Sequence, residues 1–408
     1  MRGGAFRPRA VRDLSIPGAR GVRVCYALPP LRAGPVRLAG WWPSFGSGFS
    51  HLQAARRASA EAIERACGVF QGTEARITAA YRTLGPGAIH PAECQLISER
   101  QRRGRPNRPR SPLTGIPPRF DERDPIEWTP VWSMTAERWK YLPTMSLYFK
   151  YPIRRARRYC PADSNGIAAG ATRTEASLRG LLELVERDSV ALWWYNRIRR
   201  PRVDLASSKD TGIERLLEFY RAAGREVWVI DLTSDIGIPV CAAISRRSGG
   251  REDLAFGFGA SLQRVDAARH AMLEMAQVLA VRHAGGRGGS GTAAFESWRR
   301  GATAAGTHHL RPSRAPSRDK GGTAGDAENA GRALARVMSA IETRGLEVLS
   351  CDLSRAGATL SVMRMVAPGL RHMWPRLAAG RLYRAPVQAG WSRRMLHENQ
   401  LNPVPLLL

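Results

Sequence analysis

The chain has 408 residues, 63 of them lysine or arginine against 35 aspartate or glutamate, for a formal charge of +28 and an apolar fraction of 43%. No run of eighteen apolar residues marks a membrane helix, and the basic start MRGGAFRPRAVRD leads into no apolar signal core. Six scattered cysteines without a CxxC pair argue against a zinc knuckle or a disulfide framework, so a reducing cytoplasm is expected.

Arginine carries the charge, because lysine occurs only at positions 140, 150, 209 and 320. Such a skew matches a compositional bias of the coding sequence, although a basic surface still attracts acidic partners. The clusters at 101–110 (QRRGRPNRPR) and 154–158 (RRARR) show neither zinc-finger spacing nor interleaved aromatics. Nucleic acid is therefore not the expected partner.

In chain order, residues 1–40 read as an N-terminal extension with a strand at 22–28 (VRVCYAL), ahead of a main domain over 41–408. WWPSFGSGFS reads as a Gly/Ser loop ending at Ser50, able to present backbone amides to phosphate at a helix start. SAEAIERACG then places Glu61, Glu64 and Arg65 on one helix face. Residues 99–125 are rich in proline and arginine and read as a surface loop, and WTPVWSM and TMSLYF as short strands.

Ser164, Asn165 and Gly166 form a small-residue turn. Thr174 is the expected N-cap of a long apolar helix carrying Glu183, Glu186 and Arg187 on one side. A strand phrase, GREVWVIDLTSDIGIPVC at 224–241, returns as GLEVLSCDLSRAGATLSVMRMV at 345–366. With the twin ExxER helices this suggests an internal two-fold of strand and helix units. Asp231 and Asp352 read as turns after these strands. LAFGFGASLQ reads as a strand and a glycine turn before a helix with Glu274 and Gln277 one turn apart. Residues 285–331 fall into Gly, Ala, Arg and Ser, read as a flexible insertion, and leave His308 and His309 without a role. Pro403 and Pro405 stiffen a closing tail over 399–408.

No P-loop, Rossmann fingerprint, HExxH or GxSxG appears. What recurs is a polar pair containing a glutamate, one turn apart, on three apolar helices. Magnesium takes one or two carboxylates with phosphate oxygens and water, so scattered glutamates suit it better than a compact cage.

SNGIAAG, GLLELVERD, WWYN, AEAIER, FGFGA, LEMAQ and PGLRHMWPRLAAGRLY together resemble the YcaO family, in its stand-alone thiazole/oxazole-forming (SagD-like) peptide cyclodehydratase branch. The resemblance runs from about residue 40 to the C-terminus. It implies an α/β (α+β) fold of repeated strand/helix units around a carboxylate-lined ATP pocket, and a cytoplasmic enzyme that uses ATP and magnesium without a P-loop. The implied chemistry begins when a substrate Cys, Ser or Thr attacks the preceding carbonyl. Phosphorylation of that oxygen then lets it leave, giving an azoline. The resemblance assigns Glu61, Glu64, Glu183, Glu186 and Glu274 to magnesium, and Ser50, Arg65, Asn165, Arg187 and Gln277 to the nucleotide. It gives Pro403 and Pro405 to a tail that reaches the active site.

The partners implied are a ribosomally made precursor peptide and a leader-binding protein of the ThiF-like type, with a dehydrogenase and a homodimer also compatible. Relatives carry lysine at Ser47, serine at Arg57, and His and Asp at Ser261 and Gln263. Three alternatives stay open: a YcaO enzyme forming thioamides or amidines, a non-catalytic scaffold of a peptide-maturation complex, and a basic nucleic-acid-binding protein.

Overall fold

The computed structural model describes residues 6–38, 41, 43–104, 115–153, 157–285, 293–313 and 329–406. A strand followed by a helix packed on it recurs three times and sets the frame. In the first unit β1 (Ala10–Asp13), β2 (Arg23–Leu28) and β3 (Ser44–Gly48) form an antiparallel sheet in that order. Helix α1 (His51–Cys67) lies on it, capped by Ser50, whose hydroxyl accepts from the Gln53 amide at 3.2 Å.

Ala54, Ala58, Ala62 and Ala66 are buried, which lets α1 approach the sheet closely. A Cβ on Gly46 would stand 2.3 Å from the Ala58 nitrogen, so only glycine fits there. The expected Gly/Ser loop is thus a strand: its backbone is taken up by the ladder to β2, with Tyr26 opposite Phe45. The same ladder crosses the expected domain boundary at residue 40, so residues 10–28 belong to the main fold.

The central sheet holds β4 (Ile77–Ala79), β5 (Ile126–Ser133), β6 (Arg138–Pro143), β7 (Ile167–Gly170), β11 (Leu349–Asp352) and β12 (Ser361–Val366). Its order is β4-β5-β11-β12-β7, with β6 beside β5. TMSLYF is not a strand: Thr144–Leu147 make a single helical turn after β6. Helix α2 (Arg173–Asn196) follows β7 and is capped by Thr172 rather than Thr174, the hydroxyl accepting from the Glu175 amide at 3.2 Å. Its last nine residues are all buried, so α2 is the central helix of the molecule.

The third unit begins with α3 (Thr211–Ala222), then β8 (Arg225–Asp231), β9 (Val240–Arg247) and β10 (Ala255–Ala260), an antiparallel sheet under α4 (Arg264–His283). FGFGA is strand β10, not a turn. A Cβ on Gly257 would lie 2.3 Å from both the Ala271 oxygen and the Met275 nitrogen of α4. The two Asp-Leu-(Thr/Ser) phrases close turns as read: Asp231 and Asp352 each accept, at 2.8 Å, the amide two residues on.

Residues 293–313, expected within a flexible insertion, form α5 (Ala293–Gly301) and a short 3-10 turn in which His309 and Leu310 are buried. Phe295, Leu310 and the edge of Trp228 fill the core there, and the Trp228 indole donates to the Leu310 carbonyl at 2.8 Å. The low-complexity stretches 286–292 and 314–328 lie outside the described residues, as do most of the two arginine clusters.

Helix α6 (Ala330–Glu342) packs on α2, and α7 (Arg381–Gln388) closes the far side. Asp188 of α2 is fully buried and accepts from the Arg371 amide and from Arg381, which also pairs with Asp235. This network fixes the PGLRHMWPR segment against α2. All six cysteines are unpaired, and no described helix is long and apolar enough to cross a membrane.

Candidate active site

The three helices turn their glutamates toward one another, and backbone amides hold them there. One glutamate of each helix is tied to a backbone amide of its own strand–helix unit. Phe45 N–H donates to Glu61 at 2.6 Å, Gly166 N–H to Glu183 at 3.1 Å, and Phe258 N–H to Glu274. The second glutamate is tied to the neighbouring unit: Ala169 N–H of β7 donates to Glu64 at 3.2 Å, and an Ala260 backbone bond reaches Glu186. Strand and helix thus set five carboxylates in a row that runs from α1 through α2 to α4.

Burial, with repulsion from neighbouring carboxylates, raises Glu64, Glu183, Glu186 and Glu274. Glu64 is pushed well up by burial, then by Glu183 and Glu61. Glu186 rises to about 8, through burial and Glu274, and burial also raises Glu183 and Glu274. Two guanidiniums stand among them. Arg65 pairs with Glu61 at 2.5 Å, and Arg187 with Glu183 at 3.1 Å and Glu186 at 3.9 Å. Against the effect of burial, Glu183, Glu186 and Glu274 hold Arg187 firmly in its charged form.

A cleft of about 330 Å³ opens over the α1 half of the row, lined by Glu61, Glu64, Glu183, Arg57 and Arg179. Arg57 donates to the Ser47 carbonyl at 2.8 Å, which brings its charge to the cleft wall one turn before Glu61.

The remaining expected residues fall around this row. Gln277 is half-buried one turn after Glu274 on α4. Asn165 sits in the turn before β7, its N–H bound to Asp163, with a buried side-chain oxygen that has no partner among the described residues. Ser50 is the cap of α1, so its hydroxyl is already engaged.

Pro403 and Pro405 lie in a tail docked on the end of α2, eight or more residues beyond Glu186, which is about 12 Å along a helix. Asn402 N–H donates to the Tyr195 carbonyl at 2.8 Å, and the Trp194 indole to the Val404 carbonyl at 2.7 Å. The tail then approaches the site indirectly. Leu406 bonds the Tyr195 hydroxyl, which donates to the Met373 carbonyl at 2.8 Å, and the Met373 sulfur accepts from Arg187 at 2.9 Å.

Sequence reading missed the groups beside Glu183 and Arg187, at the middle of the row. Arg364 of β12 donates to the Asp163 carbonyl at 2.8 Å, and His372 Nε2 stands 4.0 Å from Asp163 Oδ2. Burial lowers His372 to about 3, so it is neutral there, and its ring lies 3.9 Å from that of Trp374. The phrase PGLRHMWPR was visible, but only the fold brings it beside Asp163 and Arg187.

The donor set fits magnesium with a polyphosphate. Among the described residues no three His, Cys, Asp or Glu side chains stand close enough to hold a metal alone. One or two carboxylates completed by phosphate and water is the coordination magnesium favours. Carboxylates raised by burial and by their neighbours, with an Asn165 oxygen and an Arg187 Nε that make no hydrogen bond among the described residues, are what a charged polar ligand would satisfy.

Comparison with known proteins identifies the family. A family model described as YcaO cyclodehydratase, ATP- and Mg2+-binding, matches residues 45–371. An uncharacterized protein of Methanothermobacter thermautotrophicus is 28% identical over 235 residues, 57% of this chain and 56% of that one. Among solved structures, a heterocyclase in complex with substrate and cofactor superposes with a TM-score of 0.89 at 36% identity, covering 98% of this chain and 55% of its own. The heterocyclase TruD gives 0.77 at 38% identity, covering 86% and 50%. A Methanopyrus kandleri YcaO bound with AMPPCP and Mg2+ shares the fold, with a TM-score of 0.64 at 21% identity over 89% of this chain and 86% of that one. The chain spans about half the length of the heterocyclases and of the archaeal relative. It is a member of the YcaO family.

Proposed function

We infer that this chain is an ATP- and magnesium-dependent peptide cyclodehydratase that forms azolines at Cys, Ser or Thr of a ribosomally made precursor. The observation that carries the reading is the row of five glutamates from three helices, each anchored by a backbone amide. An anchored carboxylate is held without the motion that would blur phosphate position, and the second oxygens of Glu61 and Glu183, which meet Arg65 and Arg187, would be shared between guanidinium and cation. Glu61, Glu64, Glu183, Glu186 and Glu274 would hold magnesium directly or through water. Arg65, Arg187, Asn165, Gln277 and the helix start at Ser50 would meet the nucleotide. When bound, ATP supplies the phosphoryl group that turns the peptide oxygen into a leaving group, and magnesium offsets its charge.

The chain's own part is to hold charge and exclude water. Arg187 is fixed between three carboxylates and the Met373 sulfur, so it adds positive charge without needing to move. Pro403 and Pro405 stiffen the tail at Tyr195, within two hydrogen-bonded links of Arg187. A heterocyclase 36% identical to this chain, solved in complex with substrate and cofactor, supports the substrate side of this reading, and a leader-binding partner protein belongs to the same proposal.

Incubation of the full chain with ATP, magnesium, a Cys-containing precursor and its partner should give phosphate release matched by loss of one water mass per ring. Glu183→Gln should abolish both while leaving the circular dichroism spectrum unchanged. Undiminished peptide-dependent phosphate release in that variant contradicts the assignment.

A further inference from the structure

Away from the carboxylate row, a second cavity of about 240 Å³ opens between Trp41, Tyr148, Phe149, Lys150, Tyr151 and Arg158. Its wall runs directly into the site. Pro161 and Ala162 line it, and Asp163 and Asn165 follow in the chain. Three residues of extended chain span at most about 10 Å. A side chain seated in this cavity therefore lies within a few peptide residues of Asn165.

The walls are aromatic and fixed. Trp41 meets Phe149 edge-on at 5.7 Å, and Phe70 backs Tyr151 at 4.9 Å. The charges among the lining residues are both positive. The Lys150 ammonium rests 5.3 Å over the Trp41 ring and donates to the Arg37 carbonyl at 2.8 Å, while Arg158 is exposed. Lys150 is held at φ +55°, a left-handed backbone that a lysine seldom adopts. Two bonds clamp it there, from Phe149 N–H to the Gly68 carbonyl at 2.8 Å and from Phe70 N–H to the Phe149 carbonyl at 3.0 Å. Backbone held in a sparsely populated region by its surroundings is a pre-set feature of the wall. The volume is below the roughly 300–1,000 Å³ of small-molecule pockets, so it suits one side chain and its neighbour rather than a nucleotide.

We propose that this cavity is a specificity pocket for the peptide substrate, seating an aromatic residue with a carboxylate beside it, a few positions from the reacting Cys, Ser or Thr. The ring packs against Tyr148, Phe149 and Tyr151, and the carboxylate meets Arg158 at the mouth. The inference rests on the peptide cyclodehydratase reading.

Two synthetic Cys-containing peptides test it, each with photoreactive benzoylphenylalanine three residues from the Cys, followed by Asp in one and Lys in the other. The full chain is irradiated with each, without nucleotide, and crosslinks are located by mass spectrometry. The Asp peptide should label the segments around Trp41 and 148–153 about fivefold more than the Lys peptide, as one exposed ion pair allows. Arg158→Glu, at an exposed position that leaves the fold intact, should reverse the preference. Equal labelling by both peptides, or crosslinks mapping elsewhere, overturns the proposal. Labelling needs no phosphate release, so failure of the enzymatic reading alone would leave the crosslinks unchanged.

Discussion

Glu186 shows at the scale of one residue what the site demands of the fold. Its carboxyl is raised from the usual 4.5 to about 8 by burial and by Glu274. In the unfolded chain it ionises near 4.5, so between these values the folded state binds more protons and loses stability as pH rises. The unfolding midpoint without metal should therefore fall from about pH 5 to pH 8, and magnesium with a nucleotide analogue should restore it at the upper end. Thermal melts over that range check both parts. A midpoint that rises steadily with pH would show that the carboxylates are not crowded. The groups lowered below their normal values, such as Glu74 and Asp352, act in the opposite sense but only at more acidic pH.

Among the structural elements, the strand–helix unit shows which parts of the site were legible. The ExxER spacing put Glu61, Glu64, Glu183 and Glu186 on the right faces because helical period alone decides that. From sequence the glycines of FGSG read as a loop and those of FGFGA as a turn, yet both lie in strands. Nothing local distinguishes a glycine needed for positive φ from one needed so that a helix can come close. Here Gly46 and Gly257 serve the second purpose. Gly257→Ala should push α4 off β10 and strain the Phe258 amide bond to Glu274, with a loss of about 1–3 kcal/mol as in other overpacked cores. Denaturant unfolding and nucleotide binding should both weaken. A variant as stable as the parent would mean that this approach is not tight.

Across the whole molecule, the site depends on contacts that join distant parts of the chain. Asp163, His372 and Arg364 could not be placed from sequence, because only the β7–β12 ladder and the Asp188 network bring their segments together. The position of the tail was similarly hidden: its contacts are to Trp194 and Tyr195, inside what read simply as an apolar helix. The 293–313 segment reads as too poor in large residues to pack, yet Phe295, Trp298 and Leu310 tie it to Trp194, Phe256 and Trp228. Deleting residues 404–408 removes the Val404 carbonyl that accepts the Trp194 indole. Turnover should fall by more than tenfold, while nucleotide affinity changes little. Full turnover in the truncated chain would remove the tail from the mechanism.

The convergence of three helices on one metal–nucleotide complex is tested most directly by calorimetric titration of the full chain with a non-hydrolysable ATP analogue, with and without magnesium. Binding should require magnesium. Glu64→Gln, Glu183→Gln and Glu274→Gln, one on each helix, should each weaken it at least about tenfold, as the loss of a buried charged partner does. Binding that is indifferent to magnesium, or that survives unchanged when any one of the three helices loses its carboxylate, would contradict that convergence.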